Sequence, residues 1–171
     1  MRLRWLRISA VLSVVIALGL SVVVGAAPHN SAEGPRAKYH YAANRYRLPD
    51  PDATPGVTVI LNTERVCATK WGLDVRHVTE KMKREVYAAY GAVKRKDVCC
   101  EVDHLISREL GGADDVKNIW PQPWTQAWIK DRVENWLHRQ VCAGTITLHE
   151  AQRGIARDWT QYIDAATRRD R

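Results

Sequence analysis

Apolar residues along this chain fall into separated runs, and their period changes from one run to the next. Ile8 to Val24 is almost wholly apolar. From 27 to 56 no period appears. Pro28, Pro35, Pro49, Pro51 and Pro55 are mixed with Asn, Ser, Asp and Gly there, which predicts a flexible linker. After the Pro55-Gly56 turn, Val57-Thr58-Val59-Ile60-Leu61 is a β-branched run that predicts a short strand. Thr79 then reads as an N-cap with Glu80 in the first turn. Met82, Val86, Ala89 and Tyr90 recur at helical intervals, and Gly91 sits at the stop, so a helix is predicted over about 80 to 90. Lys81, Lys83 and Arg84 fall away from its buried side.

Residues 99–106 and 118–122 read as two short strands joined by a loop carrying Gly111-Gly112 and Asp114-Asp115. A helix follows from Thr125, which reads as its N-cap. Ile129, Val133, Trp136, Leu137 and Val141 keep helical spacing, and Gly144 lies past its end. Thr147-Leu148-His149-Glu150 is a capping box, in which hydroxyl and carboxylate each satisfy an orphan backbone donor. Leu148, Ala151, Ile155, Trp159 and Ile163 then make one apolar face of a last helix. Arg168, Arg169 and Arg171 form a basic tail. The expectation is an α+β fold, with one domain over 57–168.

The N-terminal run takes on meaning once charge is added. Arg2, Arg4 and Arg7 precede it, and Val24-Gly25-Ala26 offers small residues for cleavage, which predicts a signal peptide over 1–26. The protein is then secreted or held in the cell envelope. An uncleaved signal anchor is the alternative, since the run approaches the length of a membrane span. Removing the leader leaves 23 Lys and Arg against 19 acids, a charge of +4, compatible with a polyanion partner but not diagnostic of one. Two further basic features allow nucleic acid or plain solvent. Tyr39, Tyr41 and Tyr46 are interleaved with His40, Arg45 and Arg47, and Lys94-Arg95-Lys96 forms a short cationic run. Seven Trp and no Phe predict a core built on indoles.

Four cysteines in an exported chain imply disulfide bonding, with three full pairings possible. Cys67 to Cys142 is the expected bond. It leaves the adjacent Cys99 and Cys100 as free thiols or a vicinal bridge. A zinc site of Cys99, Cys100 and His104 is an alternative without Cys-x-x-Cys spacing behind it.

Chemistry concentrates in Cys99-Cys100-Glu101-Val102-Asp103-His104-Leu105-Ile106, with Gly111-Gly112 and Asn118-Ile119-Trp120 after it. A carboxylate beside an imidazole suits hydrolysis, since one can hold a cation and the other can accept a proton at neutral pH. Over roughly 97–140 this layout resembles the HNH, or ββα-metal, endonucleases. The resemblance implies a ββα-metal core of a short β-hairpin and helix with flanking helices. It implies Asp103 as ligand to Mg²⁺ or Mn²⁺, His104 as general base, and Asn118 as a clamp on the intervening loop. Lys130 matches the family's basic helix position, and with Arg108 it would pair with flanking phosphates. Ala127 departs from the pattern where many members carry a second ligand. Asp131, one turn further on a similar face, is the expected substitute. Glu101 shares the side of Asp103 on an extended strand and is either an accessory ligand or a plain strand residue. A wider stretch, 54–163, resembles small exported bacterial HNH-like proteins.

The expected function is an exported, divalent-metal-dependent endonuclease acting on nucleic acid, with DNA the expected polymer. The alternative is a catalytically degenerate HNH-fold binding or interaction protein, for which Ala127 is the sign. A structural envelope protein anchored by its N-terminal segment is a third reading.

Overall fold

Thr79 accepts a hydrogen bond from the Met82 amide and so starts helix α2 (Glu80–Ala89) where the sequence places it. The computed structural model describes residues 37–70, 74–92 and 99–168. The signal segment 1–26 and the run Lys94–Lys96 lie outside the described residues. In chain order the elements are β1 (His40–Tyr41), β2 (Arg47–Leu48), α1 (Thr63–Ala68), α2, β3 (Cys100–His104), β4 (Ile119–Pro123), α3 (Trp124–Cys142), α4 (Leu148–Asp158) and α5 (Ile163–Thr167). The fold is thus mixed α+β, with two small antiparallel sheets, β1-β2 and β3-β4, and several helices.

The β3-β4 hairpin is the frame of the molecule. Its register sets Asp103 opposite Trp120 and His104 opposite Ile119. Cys100, Val102 and His104 are buried while Glu101 and Asp103 are half-buried, the alternation a pleated strand imposes. On one side Val86, Tyr87, Val102, Leu105, Ile119 and Trp120 form an apolar cluster that joins the hairpin to α2. A second cluster of Val66, Ile129, Val133, Leu137, Ile155 and Trp159 joins α1, α3 and α4. The connection between the strands turns through a short 3₁₀ segment, Arg108–Leu110, and ends at Gly111 with φ +81°. A Cβ on Gly112 would collide with the Ile106 carbonyl oxygen, so the loop folds back on the strand it leaves.

Several expectations change. Of the expected linker over 27–56, residues 27–36 lie outside the described residues, and 37–56 pack on the domain. The Tyr39 ring lies against Tyr90 and Trp120, Tyr46 packs on Trp159, and Tyr39 donates to the Pro121 carbonyl oxygen at 3.0 Å. Aromatic side chains spaced through a proline-rich stretch have found partners that local periodicity does not reveal. The run 57–61 makes only an isolated bridge, Thr58 to Gly112, with Val59 and Leu61 exposed. It lies along the loop, hydrogen-bonded to Gly111 and Ala113, and joins neither sheet among the described residues. Helix α3 begins at Trp124 with Pro123 before it, one residue ahead of the expected Thr125 cap. The last helix is interrupted. The Thr147–Glu150 capping box forms, but Asp158 is extended (φ −163°) and caps Thr160, so a 3₁₀ turn and α5 complete the face.

Cys67 and Cys142 are bonded, joining α1 to the end of α3 across 75 residues with a Cα–Cα distance of 5.6 Å. Cys99 and Cys100 form a vicinal bridge. These bonds agree with an oxidising, non-cytoplasmic setting. Among the described residues, no helix is long and apolar enough to cross a membrane.

Candidate active site

The end of β3 carries Asp103 and His104 to the wall of a cleft of about 420 Å³, lined also by Arg76, Arg108, Glu109, Asp131 and Glu134. The strand would send these two side chains to opposite faces, but His104 is its last residue, where the chain bends away into the loop. Both therefore border the same space.

The loop is held by Asn118, which is fully buried. Its amide nitrogen donates to the carbonyl oxygens of Ile106 and Ala113, each at 3.0 Å. Its carbonyl oxygen accepts the Ile106 amide at 3.0 Å and the Val57 amide at 3.3 Å. One side chain thus ties three segments together, using both the donor and acceptor capacity of an amide. This is a positioning role. The clamp fixes the loop that carries Asp114, and Asp114 Oδ1 lies 2.7 Å from His104 Nε2. With Nε2–H donating to that carboxylate, Nδ1 becomes the nitrogen with a free lone pair. Burial lowers the His104 pKa, an effect that the Asp114 hydrogen bond only partly offsets, so the surroundings favour the neutral ring. Burial raises Asp114, but the His77 amide and the His104 hydrogen bond outweigh it and keep the group ionised.

Lys130 corrects an expectation. It is fully buried, so it cannot reach a flanking phosphate. Its ammonium donates to Asp103 Oδ2 at 2.8 Å, to the His104 carbonyl oxygen at 2.6 Å and to Glu134. Burial alone would lower its pKa, but the carboxylates of Asp103 and Glu134 prevail and hold it charged. Lys130 is an internal counter-ion. Arg108 does border the cleft, where it pairs with Asp74 and donates to the Val75 carbonyl oxygen at 2.9 Å.

Acidic charge on this wall exceeds its cations. The Glu101 carboxyl is pushed up to about 7 by burial and then by the neighbouring Asp103 and Asp131. Burial likewise raises Glu109 to about 7 and raises Asp131, on which Asp103 also acts. Asp103 and Asp131, the two expected ligands, therefore share the cleft, and the charge of Asp103 acts on Asp131. Ala127 is buried and contributes no donor. Asp114, Arg76 and Glu109 were not singled out as site residues in the sequence. Asp114 sits in the glycine loop, ten residues from His104, and only the folded loop brings it back.

A separate group lies at the far end of α3. Cys67, His138 and Cys142 bring two sulfurs and an imidazole nitrogen within 4.8 Å of one another, a set that can hold a metal ion. The sulfurs are joined to each other in the structure, and only as free thiolates would they be strong ligands. The expected zinc alternative of Cys99, Cys100 and His104 does not form, since those cysteines are bridged and His104 is turned to Asp114.

No protein-family model, curated protein or solved structure matches this chain.

Proposed function

We propose that the cleft hydrolyses phosphodiester bonds of nucleic acid with the help of a divalent cation, in the manner of the HNH, or ββα-metal, endonucleases. The observation that carries this reading is the convergence of Asp103 and His104, the latter bonded to Asp114, on one cleft. The donor set fits the implied ion. Asp103 and Asp131 offer hard oxygens on the wall of one cleft. Bound there, Mg²⁺ or Mn²⁺ would stabilise negative charge developing on the phosphate.

The remaining steps belong to the chain. His104 Nδ1 accepts the proton of an attacking water, and the resulting imidazolium is stabilised by Asp114 through Nε2–H. Asn118 keeps the loop, and with it Asp114, in register with the ring. Arg108, paired with Asp74 at the cleft, would meet a phosphate oxygen. Lys130 offsets part of the charge of Asp103, leaving the other carboxylate oxygen for the ion.

A plasmid-nicking assay in Mg²⁺ or Mn²⁺ tests this. Wild type should nick, and His104→Ala should lose about 10²- to 10⁴-fold in rate. Equal nicking by both, or none by either in both metals, overturns the proposal.

Lys130 also favours a second reading. A fully buried ammonium on Asp103 supplies an internal cation where an ion would otherwise sit. That is how a retired nuclease fold, kept for binding, would balance its acids. Absence of heat on titrating Mg²⁺ and Mn²⁺ by calorimetry would select this reading.

A further inference from the structure

The solvent face of α3 carries two indoles that the chemistry above does not use. Trp124 is 43% exposed and Trp128 61% exposed. They stand one turn apart and so lie side by side on the helix surface. Large aromatic side chains usually gain by burial, so a pair left in water on one stripe points to an occupant. The stripe continues to Asp131 and Asn135, which line the cleft. From Trp124 to Asp131 the helix rises about 10 Å, the length of roughly three stacked nucleotides.

A second feature, cationic, lies beside the start of the same helix. A groove of about 320 Å³ lined by Tyr41, Arg45, Arg47, Thr125 and Gln126 opens beside the start of α3. Tyr41 is 64% exposed. The groove is built onto the helix, since Gln126 accepts the Arg47 amide at 3.0 Å and donates to the Arg47 carbonyl oxygen at 2.9 Å. The Arg47 guanidinium lies 5.3 Å over the Tyr39 ring, which holds it in place. Arg45 and Arg47, from the β1–β2 segment, thus stand beside the start of α3, and the indoles and the acidic cleft follow along the helix.

We propose that this track binds single-stranded nucleic acid, with unpaired bases stacking on Trp124 and Trp128 and backbone phosphates pairing with Arg45 and Arg47. The strand would then run toward the cleft. Charge complementarity selects a polyanion, and accessible indoles select one whose bases are free. A duplex hides its base faces and could use the arginines alone. The exposed residues along the stripe between the indoles and the cleft include Asp131 and no aliphatic side chain, which disfavours a lipid surface. The inference takes the location of the reacting phosphate from the proposed hydrolysis, but binding itself does not need that reaction.

Fluorescence anisotropy with a labelled oligothymidylate of about 12 nucleotides, in excess chelator so that no hydrolysis intervenes, tests it on the intact protein. The single strand should bind at least about tenfold more tightly than a duplex of equal length. The double variant Trp124→Ala/Trp128→Ala should lose on the order of tenfold per indole. Arg45→Gln/Arg47→Gln should flatten the salt dependence of binding by about one to two phosphates. Equal affinity for duplex and single strand, or unchanged affinity in the tryptophan variant, overturns the proposal. So does indole-dependent binding to phosphatidylglycerol vesicles, or an indole-dependent dimer in sedimentation, with no oligonucleotide bound. A wild type that holds the single strand through its indoles yet cuts nothing would end the hydrolytic reading and leave this one intact.

Discussion

Lys130 concentrates the residue-scale physics of this protein. An ammonium with no exposure is tolerable because two carboxylates and a carbonyl oxygen replace its water shell. Such an ion pair adds little net stability compared with apolar packing, but removing one partner strands the others. Lys130→Met should therefore destabilise the fold by about 3–5 kcal/mol in urea titration, since Asp103 and Glu134 lose their counter-charge. Glu109 gives the complementary case. Its carboxyl is pushed from 4.5 to about 7 by burial, so the fold favours the protonated form. Wild type then loses stability as pH climbs from about 4.5 through 7, while Glu109→Gln cannot ionise. The variant should gain roughly 1 kcal/mol on wild type between pH 5 and pH 8, after allowance for solvent screening. Thermal melts at the two pH values measure the difference, and a gap that does not widen with pH would contradict the assigned cause.

At the scale of elements, the hairpin and its loop depend on Asn118. Four hydrogen bonds to three segments make the amide the joint between the strand that leaves the site and the loop that returns to it. Asn118→Ala leaves buried backbone groups unpaired and should cost about 2–4 kcal/mol. Asn118→Asp keeps one acceptor but turns a buried carboxylate oxygen onto the Ile106 and Ala113 carbonyl oxygens, so it should cost at least as much as Asn118→Ala, as denaturant midpoints can show. These elements also show what sequence pattern reveals. Alternating burial on β3 and the caps at Thr79 and Thr147 were legible, because they are local consequences of backbone geometry. The 57–61 run was not, because β-branched residues favour extension whether or not a pairing strand is present. The break at Asp158 was masked by an apolar stripe that continues across it, since packing against α3 needs the stripe more than an unbroken helix.

Across the whole molecule, long-range partners decide what local patterning leaves open. Tyr39 and Tyr46 turn a proline-rich stretch into part of the core, Tyr39 by donating to the Pro121 carbonyl oxygen 82 residues away and Tyr46 by packing on the Trp159 ring 113 residues away. Asp114 joins His104 only because the glycine loop closes. Burial of Lys130, in turn, follows from the packing of α3 on the hairpin, and a charged residue on a helix gives no local sign of it. The Cys67–Cys142 bond fastens α1 to the far end of α3 across most of the described domain. In the chain-entropy view, closing so long a loop contributes about 4 kcal/mol. Cys67→Ser/Cys142→Ser should lower the melting temperature by more than about 10 °C.

The proposed hydrolysis needs an ion and a water to meet beside Asp103 and His104. A crystal soaked in Mn²⁺ and measured at the manganese absorption edge tests this most directly. The prediction is one anomalous peak in the cleft, ligated by Asp103 and Asp131, with a water between it and His104 Nδ1. A cleft that holds no manganese at saturating concentration, with or without a peak at Cys67, His138 and Cys142, would contradict it.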